Sequence, residues 1–126
     1  MVRWAAAVAA IGFVLVAGFQ VALALGAPWG RAAWGGAHER LSLGLRVASA
    51  FAAVLWTVAA LVVLARAGFD WSPIPFSAAT WGTWVLFGLL LLGTVMNLAS
   101  RSRLERLIQT PVAAVLAVLC VLVALA

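Results

Sequence analysis

Side chains able to do chemistry are few in this chain, and they are densest in one stretch, Thr94 to Pro111, which reads TVMNLASRSRLERLIQTP. Within it, Ser102-x-x-Glu105 has the spacing of a capping box. In that motif the serine oxygen takes the backbone N–H of the glutamate, and the carboxylate reaches back to the serine N–H. A helix then starts near Arg103, with Pro111 inside it, where a missing N–H and the ring are expected to kink the helix. The charges admit two readings. Either Arg101, Arg103 and Arg106 are anchors at the membrane rim and Glu105 is a cap, or Glu105 and Arg106 line a polar pocket.

Two amides, Gln20 and Asn97, sit inside apolar runs, each ~8 Å from the same end at the helical rise per residue. At that depth they pair with each other or with a backbone carbonyl, or else they face a cavity and touch a ligand. Arg46 opens the second apolar run with Ser42 and Ser49 nearby. Its guanidinium either snorkels to lipid headgroups or pairs with Glu105. The first loop, Gly26-Ala27-Pro28-Trp29-Gly30 followed by Gly35-Gly36, is rich in turn residues and able to fold over that same end, with Trp29 at the interface. The candidate binding residues are therefore Gln20, Trp29, Arg46, Asn97, Glu105 and Arg106.

Other chemistries lack their parts. His38 is the single histidine and has only Glu39 beside it, with no cysteine pair or carboxylate cluster, so no metal site is expected. Ser, Cys120 and His38 form no nucleophile–base spacing, and Asp70 stands alone in a turn, so neither enzyme activity nor a cofactor is expected. The middles of the apolar runs hold no carboxylate or histidine, which argues against a proton- or ion-coupled carrier.

The elements that must hold these residues follow from composition. Of 126 residues, 67% are hydrophobic and 9% charged, with a mean hydropathy of +1.21. A soluble domain is nearer half apolar and a quarter charged, and eight arginines with three carboxylates cannot cover one. An integral membrane protein is implied. The net charge of +5 would elsewhere suggest nucleic acid, but the arginines cluster beside the apolar runs, where anionic lipid headgroups and membrane orientation account for them.

Four runs reach the ~20 residues needed to cross a bilayer: about 4–25, 45–65, 80–98 and 107–126. Gly26, Pro28 and Gly30 stop the first, and Arg66 and Gly68 close the second as a last-turn cation and C′ glycine. Ser72-Pro73-Ile74-Pro75 precedes the third. The expected fold is a single all-α domain, a membrane bundle of four transmembrane helices. Arg3 and the Ala22-Leu23-Ala24 site also give the first run the outline of a signal peptide, though its length and single basic residue favour a retained span.

With four spans, Arg3 and Arg66 fall on one face and Arg31, Arg40, Arg46, Arg101, Arg103 and Arg106 on the other. The positive-inside rule then puts loops one and three in the cytoplasm and both termini outside. Trp4, Trp71, Trp81 and Trp84 would form an outer belt, with Trp29 and Trp34 near the inner one. Small residues four apart (Gly18 with Ala22, Ala48 with Ala52, Ser49 with Ala53, Ala113 with Ala117) permit close helix contact.

The segments QVALALGAPWGRAAWGG, Gln20 to Gly36, and NLASRSRLERLIQTP, Asn97 to Pro111, resemble a family of small four-span bacterial membrane proteins of uncharacterised activity. Its pattern is a GAPWG segment after span one and N-L-x-S-x-S-x-x-E-R before the last span. Where that family has Leu-Pro before the arginine of span two, this chain has Leu43-Gly44-Leu45-Arg46. The resemblance implies a bacterial inner-membrane bundle with a marked polar face, and no activity. Two functions are expected from the residues. One is a non-enzymatic protein whose inner-face polar cluster binds a small ligand, lipid headgroup or partner, with uncoupled permeation by a homo-oligomer as one version. The other is an accessory subunit docked on a larger membrane complex.

Overall fold

The computed structural model describes residues 2–126. Its helices are α1 (Val2–Ala24), α2 (Leu43–Arg66), α3 (Phe76–Leu98) and α4 (Glu105–Leu125), each long and apolar enough to cross a membrane. Two short 3-10 turns, Gly30–Ala32 and Trp34–Gly36, shape the first loop. Among the described residues there is no strand. The chain is an all-α four-helix bundle and, by the length and composition of its helices, a multi-pass membrane protein.

Local chemistry fixes the helix ends. Ser42 caps α2, its Oγ accepting the Leu45 N–H at 3.4 Å, so the helix begins at Leu43 and not at the expected position 45. α3 begins at Phe76, four residues ahead of the expected Thr80. Pro75 occupies its N-cap in an extended conformation, where the absent N–H costs nothing. α1 and α2 both close in Schellman motifs: Ala27 donates to Ala22 O and Gly26 to Leu23 O, while Phe69 donates to Leu64 O and Gly68 to Ala65 O. The irregularity expected at Pro111 is a π turn over Glu105–Gln109, with the Thr110 N–H bonded to Glu105 O. That extra residue leaves Pro111 in the first turn of the regular helix that follows, where no donor is missed.

Each helix packs on two neighbours, α1 against α2 and α4, and α3 against the same pair. Arg3 Nη2 donates to Gly68 O at 3.0 Å, and Arg66 Nη2 to Ala124 O at 3.2 Å. These bonds gather the start of α1, the α2–α3 loop and the end of α4 at one end of the bundle. Loops one and three meet at the other. Trp4, Trp71 and Trp81 are exposed at the first end, as a belt requires.

Close packing is concentrated in the half nearer the first end. Phe13, Val63, Cys120 and Val123 are fully buried there, and Phe13 stacks on Trp56 with ring centroids 5.6 Å apart. Lipid tails give helices no hydrophobic reason to associate, so shape complementarity holds this half together. Small residues supply it where helices approach most closely. Gly12 lies under Leu116, Gly82 lies against Val62 and Ala117 is buried, while Ser49, Ala53 and Ala113 are buried nearer the second end. Gly18 is exposed, with open space where a Cβ would stand, so its pairing with Ala22 makes no helix contact. α3 behaves differently along its length. Ala79, Thr83, Leu86 and Leu90 are buried, but no residue from Leu91 to Leu98 is.

Candidate functional site

Loops one and three interlock at the second end, and Glu105 is the centre of the contact. Its side chain is 7% exposed, and Oε1 accepts the backbone N–H of Gly35 at 2.9 Å and the Ser100 hydroxyl at 2.7 Å. Only half of the expected capping box forms. Ser102 Oγ does accept the Glu105 N–H, at 3.3 Å. The Ser102 N–H goes to Ser100 Oγ at 3.0 Å, which frees the carboxylate to reach the first loop. Two further bonds tie the loops: Ser102 Oγ donates to Arg31 O, and Gln109 Nε2 donates to Ala32 O at 3.1 Å.

The first loop reaches Glu105 through an unusual run of backbone. Trp34, Gly35 and Gly36 have φ of 51°, 82° and 72°, and Trp34 is the one non-glycine residue in the left-handed region among those described. A bulky side chain there is a strained arrangement that needs outside support. The indole supplies part of it, donating from Nε1 to Ser49 Oγ at 2.9 Å on buried α2. Gly36 has a second requirement, because a Cβ would stand 2.5 Å from Ser102 Cβ. The glycines of the first loop and the serines of the third are therefore fitted to one another.

Beneath this interlock lies a cavity of about 610 Å3. Its mouth is polar, formed by Asn97, Ser100, Arg101, Glu105 and Gln109 with Trp34 and Gly35 above. Its floor is apolar, formed by Val16, Trp56, Leu89, Leu90 and Leu116. From Asn97 to Leu89 is ~12 Å along α3, so the floor lies near the middle of that helix. The cavity ends where the packed half begins. Gln20 also lines it, but its Oε1 is closed off from the cavity by the surrounding protein and has no hydrogen-bond partner. A buried polar atom left unpaired is costly, by about 1–3 kcal/mol.

The candidate residues separate into two groups. Gln20, Asn97 and Glu105 come together on this cavity. The amide pair expected of Gln20 and Asn97 is not formed at Gln20 Oε1, which has no hydrogen-bond partner, although both residues line the cavity. Arg46, Trp29 and Arg106 lie outside it. Arg46 Nε donates to Ala24 O at 2.9 Å, satisfying one of the orphan carbonyls that end α1, so it does not serve as partner to Glu105. Trp29 stacks on Phe19 with a 6.2 Å centroid separation, and Arg106 Nη1 holds Ser100 O at 2.7 Å. Both act one step back, by shaping the loops.

Three cavity residues escaped the sequence reading. Trp34 looked like a second interfacial tryptophan, Arg101 like one of three equivalent anchors, and Gln109 like part of a helix entering lipid. The π turn changes the helical phase between Glu105 and Pro111, and with it the face on which Gln109 stands. Among the described residues no group of three metal-ligating side chains assembles. Comparison of the chain with family models, with curated proteins and with solved structures gave no match.

Proposed function

We propose that this is a non-enzymatic binding protein of a bacterial inner membrane, whose polar cluster at the loop one and loop three rim takes up a small ligand. The observation that carries the reading is the cavity itself, with a polar mouth that holds Asn97, Arg101 and Glu105 and an apolar floor. Its volume is within the ~300–1,000 Å3 of small-molecule sites. Six of the eight arginines stand at the mouth end, which by the positive-inside rule makes it cytoplasmic and puts both termini outside. The packed half, with Phe13, Val63 and Val123 fully buried, closes the cavity below. A blind cavity supports binding over passage through a single protomer.

The test is native mass spectrometry of protein extracted from bacterial membranes in a mild detergent, comparing wild type with Asn97→Leu. The wild type is expected to carry a bound molecule beyond its polypeptide mass, and Asn97→Leu to lose it while inserting and folding normally. Equal, empty masses for both would remove the reading. The same spectrum reports copy number and any stoichiometric partner, and a partner present in both proteins without a ligand would favour an accessory subunit.

A further inference from the structure

Resting on that reading of the site, we infer that the occupant is a membrane lipid with a zwitterionic head bearing a primary ammonium, and that its acyl chain reaches the floor sideways, between α2 and α3. The first ground is the shape of the wall. From α2 only Leu45 and Trp56 line the cavity, and opposite them stand Leu89 and Met96 of α3, both exposed. No residue of α3 beyond Leu90 is buried, and although its end still meets the π turn that opens α4, the exposed Leu89 and Met96 leave the side of the cavity between α2 and α3 open to acyl chains. A water-borne solute would have to pass the interlocked loops instead, where Gly35, Ser102 and Gln109 are bonded across the mouth.

The second ground is the charge pattern at the polar end. One carboxylate, Glu105, and one guanidinium, Arg101, line the mouth together. Both hydrogen bonds to Glu105 Oε1 come from neutral donors, so its charge has no cationic partner in them. Glu105 Oε2 accepts no hydrogen bond from the described residues. An ammonium can donate to that carboxylate, while a guanidinium is suited to the phosphate that precedes the ammonium in such a head. A trimethylammonium head has no N–H for Glu105, and a purely anionic head would set a like charge against it.

The test uses the full-length protein in detergent, stripped of lipid and incubated with defined lipids of identical acyl chains. Three heads are compared by native mass spectrometry: phosphoethanolamine, phosphocholine and phosphoglycerol. The expected result is one lipid per protomer, with about tenfold preference for phosphoethanolamine, the size of one charge-assisted hydrogen bond. Glu105→Gln, which keeps an oxygen for the Gly35 N–H and removes the charge, should reduce that preference to about equal retention of the three heads. Gly93→Phe should abolish retention of all three, since Gly93 lines the cavity and a Cβ there meets nothing within 4 Å. An unchanged melting temperature shows that this variant is filled and not misfolded, and Leu89→Trp at the α2–α3 gap provides a second block. Equal retention of the three heads overturns the head assignment. A retained molecule that is no acyl lipid, lost in Asn97→Leu but indifferent to Gly93→Phe, overturns the inference and leaves the binding site standing. No retained molecule in any protein overturns both.

Discussion

Glu105 Oε1 and the backbone N–H of Gly35 lie 2.9 Å apart across 70 residues of sequence, and this bond joins the two loops that cover the cavity. A glutamate at the third position of a capping box ordinarily serves its own helix. Here Ser100 takes over the Ser102 N–H, and the carboxylate is free to hold a loop from the far side of the bundle.

Glu105→Ala should therefore cost more than an ordinary surface change. It leaves the Gly35 N–H and the Ser100 hydroxyl without their acceptor, an expected loss of about 1–3 kcal/mol in denaturant titrations of the detergent-solubilised protein. Glu105→Gln keeps a carbonyl oxygen in place and should lose less than half as much. Equal losses for the two variants would show that the bond to Gly35 contributes little.

Gly35 and Gly36 separate two causes of strain. Both have φ in the left-handed region, so alanine at either is expected to cost ~1–2 kcal/mol. A Cβ at Gly35 meets nothing within 4 Å, whereas at Gly36 it stands 2.5 Å from Ser102 Cβ. Gly36→Ala should then be clearly the more destabilising, and melting temperatures of the two proteins decide it.

The Trp34 indole and the Ser49 hydroxyl, 2.9 Å apart, should be energetically coupled. A double-mutant cycle with Trp34→Phe and Ser49→Ala is expected to give an interaction of about 1 kcal/mol. Independent effects would mean that the left-handed backbone at Trp34 is supported by the glycines alone.

How much of this was legible beforehand depends on the kind of signal. The four helices were, because ~20 apolar residues have one use and the bilayer sets the period. Their ends were legible where a capping residue marks them, as at Gly68, and less so where Pro75 occupies a cap that a proline is not expected to fill. Gln20 and Asn97 stood out because an amide in an apolar run needs a reason, and Glu105 because of its spacing from Ser102. Trp34 and Gln109 did not, because their placement depends on features with no local pattern. One is a run of three left-handed residues, the other a π turn that rotates one face of α4. The Arg46–Glu105 ion pair was plausible on charge alone and failed on geometry. The last carbonyls of α1 lie nearer to Arg46, and a helix C-terminus attracts a cation as a carboxylate does.

Loops one and three meet in a single rim above the cavity, and the proposed orientation makes that rim cytoplasmic. In a Cys120→Ser background, single cysteines at His38, Arg103 and Asp70, all exposed, can be tested with a membrane-impermeant thiol reagent on intact cells and on inverted vesicles. Positions 38 and 103 should label only in inverted vesicles and position 70 only in intact cells. Labelling of 38 and 103 from opposite sides would contradict it outright, since no interlock between the loops and no common mouth could then exist.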